Sequence, residues 1–273
     1  MKLNLTLTVN KKLKSGLHDI QSIYCLINLH DKIFLKKSKN KHFDQVSFTG
    51  PFSKGINKSN NSIKKVLKVM RKNKIIHDYY SVKVNKKIPV FAGLGGGTGN
   101  AATLFKHLVK KKINKKIFDK ITKEVGSDFR LFSYNFAFQK DLKFVVKLNK
   151  KHRLYFLLVF PKIKSSTKSV YLRLKKYSKL KIFKKSNLHS KKDFINYLKN
   201  SKNDLQLIVE KKHPIIKNLL KNISSVKGCH LSRMTGSGSS CYGIFDNDRN
   251  SKFALRKLKR KFPNFLYFTA KSI

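Results

Sequence analysis

The first nine residues alternate. Leu3, Leu5, Leu7 and Val9 fall on one side of an extended chain, and Lys2, Asn4, Thr6 and Thr8 fall on the other. A period of two predicts a strand over residues 3–9 with one apolar face and one polar face. A basic turn at Ser15-Gly16 leads into a second strand over residues 19–29. Residues 36–61 are polar, and Gly50-Pro51 and Gly55 interrupt them, which predicts turns rather than a regular element. Ile63, Val66, Leu67 and Met70 then recur at helical spacing, predicting a helix over 62–70. A short strand follows at 79–84, and a glycine-rich run leads into a helix over 101–109. The same reading gives a helix at 117–125 and strand-like segments at 129–138, 143–148 and 155–160. Beyond these it gives helices at 191–199, 203–221 and 251–261 and a strand at 241–245. No internal repeat and no linker composition interrupts the series. A weakly patterned stretch between 140 and 150 sets the expected division into lobes of residues 1–145 and 146–273.

Size and composition agree with two lobes. At 273 residues with 40% hydrophobic content, the chain is near the length at which one core splits into two. Its longest apolar run, residues 154–160, is far short of the roughly 20 residues a membrane helix needs. The alternating N-terminus lacks the continuous apolar stretch of a signal peptide, so a soluble, cytoplasmic protein without a membrane partner is expected. Cys25, Cys229 and Cys241 are odd in number and show no C-x-x-C spacing, which implies reduced, buried thiols and no protein-held metal.

The formal charge of +50 is large enough to attract any polyanion. Only eight of the 63 basic residues are arginine, however, and the lysines are spread along the chain. With abundant Lys, Asn, Ile and Phe and no Trp, this is the pattern expected of codon bias in an A+T-rich genome. It argues against a dedicated nucleic-acid site, while leaving anionic small molecules as natural ligands.

The chemistry concentrates in Gly93-Leu94-Gly95-Gly96-Gly97-Thr98-Gly99-Asn100, with five glycines in seven residues directly before a helix. Such a loop exposes backbone N–H groups beside the positive end of the helix dipole and forms a phosphate cradle. The Thr98 hydroxyl adds a ligand for a phosphate oxygen or Mg²⁺. No Lys-Ser/Thr follows the last glycine, so this is not a Walker A loop. Gly97-x-Gly99-x-x-Ala102 with Asp119 about 20 residues on satisfies the loose dinucleotide fingerprint. Asp119 sits in a lysine-rich helical stretch, however, and a proline precedes the loop.

Pro89-x-x-Ala92-Gly93-Leu94-Gly95-Gly96-Gly97-Thr98-Gly99-Asn100 resembles the ATP-phosphate motif of the GHMP kinases. Four further blocks follow the same order. Lys2-Leu3-Asn4-Leu5 with Ser15-Gly16-Leu17-His18 resembles the opening of the diphosphocytidyl-methylerythritol kinases in that superfamily. Gly126-Ser127-Asp128, Asn203-Asp204-Leu205 and Arg233-Met234-Thr235-Gly236-Ser237-Gly238 resemble their later motifs. The resemblance spans residues 2 to about 245. It implies an α+β, two-lobed fold, with an N-terminal lobe like ribosomal protein S5 domain 2 and a C-terminal ferredoxin-like lobe.

The activity it implies is ATP- and Mg²⁺-dependent phosphorylation of the 2-hydroxyl of 4-diphosphocytidyl-2-C-methyl-D-erythritol, a step of non-mevalonate isoprenoid precursor biosynthesis. The protein would be a monomer or weak homodimer. Asp128 would be the base that deprotonates the alcohol, and Lys2 would stabilise charge at the reacting oxygen. Pro89, Val90, Phe91, Ala92, Gly93, Leu94, Gly95, Gly96, Gly97, Thr98 and Gly99 would hold ATP. Asn4, His18, Tyr171, Gly236, Ser237 and Gly238 would hold the substrate, with His18 on the cytosine edge and Tyr171 stacked on the base. Leu17 stands where the family usually has a second stacking tyrosine, and stacking is worth roughly 1–3 kcal/mol per base. That departure leaves open a GHMP kinase for another alcohol, and the net charge leaves open a non-catalytic polyanion-binding protein on the same scaffold.

Overall fold

The computed structural model describes residues 1–39, 42–90, 92–149, 152–163, 165–180, 182–183 and 188–273. In chain order the first half contains β1 (Lys2–Asn4), β2 (Thr8–Lys12), β3 (His18–Leu26), β4 (Lys32–Lys37), β5 (Gln45–Thr49), α1 (Ser62–Lys72), β6 (Tyr80–Asn85), α2 (Gly96–Leu108) and α3 (Lys115–Val125). A 3-10 helix (Ser127–Ser133) is followed by β7 (Phe136–Gln139), β8 (Val145–Lys147) and β9 (Tyr155–Phe160). The remainder comprises α4 (Thr167–Leu172), α5 (Lys191–Lys199), α6 (Gln206–Lys212), α7 (Pro214–Ser224), β10 (Cys229–Met234), β11 (Cys241–Phe245), α8 (Asp248–Lys261) and β12 (Leu266–Lys271). Among the described residues no helix is long and apolar enough to cross a membrane.

The contacts divide the chain into two compact units that interleave along the sequence rather than meeting at one position near 145. One contains Met1 and residues 29–90 and 95–133; the other contains residues 2–28, 91–94 and 134–273. The first unit is built on a three-stranded sheet, β4-β6-β5. β5 and β6 are parallel, so the chain between them must cross over, and α1 provides the crossover. The face of α1 carrying Ile63, Val66, Leu67 and Met70 is buried, as its spacing predicts, and the Asn61 side chain caps it by accepting from Lys64 N at 3.0 Å.

Strands β4 and β5 lie partly or wholly inside the stretch read as turns. They are the edge strands of this sheet and are only half-covered. Lysines at both ends of β4 dilute its pattern, whereas β5 (Gln-Val-Ser-Phe-Thr) does alternate and is only five residues long.

The second unit holds two sheets. The first has the order β1-β3-β7-β8, with β2 also paired to β3. Residues 1–9 are buried throughout, so the polar face predicted for the opening strand is covered as well as the apolar one. Hydrogen bonds of Lys2 and Asn4 satisfy part of that covered face. The second sheet has the order β10-β11-β9-β12 and is antiparallel at each pairing. Helices α4 to α7 separate β9 from β10, and α8 separates β11 from β12. This β-α-β-β-α-β succession is the ferredoxin-like arrangement expected of the C-terminal lobe.

Leu157, Val159, Ile216, Leu219, Ile223, Phe245 and Ala254 sit in its core. The helix expected over 203–221 is two helices, because Pro214 cannot donate into an ongoing helix and instead opens α7. Residues 129–133, read as strand, form the 3-10 helix that carries Asp128.

Candidate active site

In the first unit, α2 begins at Gly96, five residues earlier than expected, so Gly96, Gly97 and Gly99 lie in its first turn and only Gly93 and Gly95 precede it. The cap residue Gly95 has φ +64°, a conformation that glycine adopts without steric cost. No side chain caps this helix, which leaves the N–H groups of Gly96, Gly97 and Thr98 able to bind an anion.

The candidate base lies at the same end. A Cβ built on Gly95 would stand 3.6 Å from Asp128 Oδ2 and 3.4 Å from Phe132 Cζ. A Cβ on Gly126 would stand 3.9 Å from Thr98 Oγ1. The segment Gly126-Ser127-Asp128 thus runs beside the first turn of α2, and one carboxylate and one hydroxyl flank the cradle.

Behind the cradle is a buried polar cluster that sequence reasoning did not single out. The Asp31 carboxylate accepts from Lys86 Nζ, from Lys87 N at 2.8 Å, from Ile88 N at 3.1 Å and from Asn100 Nδ2 at 2.8 Å. Asn100 lies on α2, one turn beyond Gly96. Lys86 Nζ is 3.6 Å from the position of a Gly96 Cβ, so an ammonium group backs the helix N-terminus. The available signal was Asp31 itself, one of only 13 acidic residues.

In the second unit, Lys2 is buried, and its Nζ donates to Asn4 Oδ1 at 2.9 Å. Asn4 Nδ2 donates to Ser22 Oγ at 2.7 Å, and Ser22 Oγ donates to Thr6 O at 2.6 Å. Asn4 N donates to Thr235 Oγ1 at 3.1 Å. These bonds satisfy polar groups whose burial would otherwise cost about 1–3 kcal/mol each. They also fix the direction of the Lys2 ammonium.

Gly236 and Gly238 pack against the start of the glycine run. A Cβ on Gly93 would lie 3.2 Å from both Gly238 O and Thr235 O, and Ser240 Oγ donates to Ala92 O. Ser237 Oγ pairs with Thr167 Oγ1 at 2.9 Å, and Ser165 Oγ donates to Ser237 O at 3.0 Å. Asn203 Nδ2 ties this turn down by donating to Met234 O at 2.8 Å and Gly236 O at 2.9 Å. Asp204 Oδ2 accepts from Val9 N at 2.8 Å. The Asn203-Asp204-Leu205 motif therefore acts as a brace.

His18 opens β3, and its ring is 4.7 Å from the Tyr171 ring, tilted by 30°. Burial, and after it the charge of Lys12, lowers the His18 pKa below its ordinary value, so the imidazole is neutral near pH 7. Tyr171 is held on α4, whose cap Ser166 accepts from Ser169 N.

The first unit thus brings together Gly95–Gly99 and Asp128 and also carries Pro89 and Val90. The second brings together Lys2 and Asn4, His18 and Tyr171, and Ala92, Gly93 and Leu94 with the turn at Gly236, Ser237 and Gly238. Phe91 lies outside the described residues.

A family model described as GHMP kinases C terminal matches residues 181–264. The chain is similar to the 4-diphosphocytidyl-2-C-methyl-D-erythritol kinase of Pelagibacter ubique, at 35% identity over 278 residues covering 100% of this chain and 96% of that one. It is similar to the enzyme of the same name from Anaplasma phagocytophilum, at 32% identity covering 100% and 92%. Among solved structures, a 4-(cytidine 5'-diphospho)-2C-methyl-D-erythritol kinase superposes with a TM-score of 0.72 at 18% identity, covering 98% of this chain and 96% of the other. A homoserine kinase from Cytophaga hutchinsonii superposes at 0.66 with 15% identity, covering 100% and 93%. These two structural likenesses speak for the fold.

Proposed function

The chain belongs to the 4-diphosphocytidyl-2-C-methyl-D-erythritol kinase family, and from that premise we propose that it moves the terminal phosphoryl group of ATP onto the 2-hydroxyl of that cytidyl alcohol, with Asp128 as the base. The bond between the terminal phosphorus and its bridging oxygen breaks, a bond from phosphorus to the alcohol oxygen forms, and the hydroxyl proton passes to Asp128. ADP leaves. The observation that carries this reading is the carboxylate of Asp128 beside Gly95, 3.6 Å from where a Cβ would stand. A proton acceptor is thereby held at the mouth of a phosphate cradle, which is the main requirement of phosphoryl transfer beyond positioning and charge neutralisation.

The cradle suits a phosphate chain. Gly95 adopts a left-handed conformation, and the following N–H groups meet no capping side chain. The Lys86 ammonium, paired with Asp31, lies behind them. Mg²⁺ commonly binds through one or two protein oxygens plus substrate phosphates, and Thr98 Oγ1 and the Asp128 carboxylate are oxygen donors of that kind. We infer that the metal arrives with the nucleotide. Its role there is to neutralise phosphate charge. Lys2, oriented by Asn4, stabilises charge on the reacting oxygen, and His18 with Tyr171 takes the cytosine.

The test is Asp128→Asn, assayed for ADP release with the cytidyl alcohol and a panel of other alcohols. Turnover should fall by about 10²–10⁴, the usual worth of a positioned base, while ATP affinity stays within twofold. Near-normal turnover would remove Asp128 from the mechanism. Turnover of a different alcohol by the unaltered protein would refute the substrate.

A further inference from the structure

We propose that Tyr177 is a second aromatic wall of the cytosine site and supplies the flat face that Leu17 cannot. The inference rests on the reading that His18 and Tyr171 receive the base. Leu17 is 53% exposed and has no ring, so on its own side His18 has no stacking partner from the preceding residue. The structure places one elsewhere. The Tyr177 ring centroid is 6.4 Å from that of His18 with a 34° tilt, within the 4.5–7 Å range in which aromatic rings interact. His18 is therefore contacted by two tyrosines, Tyr171 and Tyr177, both from the segment after β9.

The position of Tyr177 is anchored. Its neighbour Ser178 donates through N to Val9 O at 2.8 Å and accepts at O from Asn10 Nδ2 at 3.0 Å. Both partners lie on β2, which pairs with β3 through Val9↔Ile20 and Lys12↔His18. The same hairpin thus holds the histidine and the chain carrying the second tyrosine, so little ordering remains to be done when a base arrives.

Exposure separates the two roles Tyr177 could have. A tyrosine that only fills the core is covered, whereas Tyr177 is 45% exposed and keeps much of its ring accessible. A neutral imidazole can both donate and accept on a base edge, and tyrosine faces beside it stack with any pyrimidine ring. The recognised chemistry is a cytosine nucleotide, with the ring held by stacking and its edge by His18.

The experiment uses the full-length protein. It measures KM for the cytidyl alcohol and for ATP, together with the inhibition constant of CMP against the alcohol, in Tyr177→Ala, Tyr177→Phe and His18→Ala variants. Melting temperature is followed in parallel. In Tyr177→Ala the alcohol KM and the CMP inhibition constant should both rise, on the order of 5- to 100-fold. The loss should appear in KM rather than kcat, and the KM for ATP should stay within twofold. Tyr177→Phe, which keeps the ring, should restore both constants. If Tyr177→Ala leaves CMP inhibition unchanged while His18→Ala weakens it, Tyr177 is not a wall of the site. If His18→Ala also leaves CMP inhibition unchanged, the base does not bind at His18, and both the wall and the reading beneath it fall.

Discussion

Asp31 ties down the start of α2 through Asn100, and replacing it by asparagine tests how firmly. Its side chain is fully buried and that of Lys86 is 5% exposed. The carboxylate accepts from one ammonium, one amide and two backbone N–H groups. Asp31→Asn preserves shape but removes the charge, and it turns an amide NH₂ toward donors or leaves a backbone N–H without its acceptor. The main loss is the uncompensated Lys86 ammonium. Removing one partner of a buried pair costs about 3–5 kcal/mol, a large part of the roughly 5–15 kcal/mol that holds a typical protein folded.

With a urea slope of about 3 kcal/mol per molar, the midpoint should fall by about 1–1.7 M. The chain has no tryptophan, so far-UV circular dichroism is the suitable probe. Asp31→Asn combined with Lys86→Met removes the stranded charge and should be more stable than Asp31→Asn alone by about 1–3 kcal/mol, a coupling of the size seen between contacting residues. Because Asn100 joins the cluster to the first turns of α2, Asp31→Asn should also raise the KM for ATP. A single variant within 1 kcal/mol of the parent, or a double variant equal to the sum of the singles, would refute the idea that the cluster acts as a charged brace.

Three other perturbations probe the same region. A Cβ on Gly96 meets only ordinary contacts, Lys86 Nζ at 3.6 Å and Met1 Sδ at 3.8 Å. Gly96→Val should therefore fold while its branches press on Lys86 behind the first turn, which a raised KM for ATP beside only a small drop in melting temperature would register. At Gly99 a Cβ would stand 2.8 Å from Phe132 Cε1, so Gly99→Ala should lose about 1–3 kcal/mol to overpacking, and urea unfolding checks this. Binding of short DNA or RNA oligonucleotides should be insensitive to sequence and fall steeply with salt, whereas ATP turnover should persist at salt where that binding has vanished. Fluorescence anisotropy beside the kinase assay would show whether tight, sequence-selective binding survives instead.

The glycine run was legible in the chain because five glycines directly before a helix are a local pattern, whereas Lys2, Asn4 and Asp128 stood out only through the family resemblance. The ferredoxin-like lobe was legible only through family resemblance. Two of its strands, β10 and β12, are mixed in polarity and do not stand out by period.

What sequence did not disclose is long-range pairing. Asp31 meets Asn100 across 69 positions and Lys86 across 55, and no local period encodes such a meeting. Tyr177 reads as one tyrosine among lysines until Ser178 bonds to β2 and brings its ring beside His18. The alternation at residues 3–9 marked extended chain, since side-chain direction there is a local property, but the one strand it predicts is two, β1 (Lys2–Asn4) and β2 (Thr8–Lys12), with a break at residues 5–7. Whether its polar face meets water or protein is decided by what else packs there. Ser22, Thr235 and Asp204 come from three other parts of the chain, and only the tertiary structure sets them against that strand.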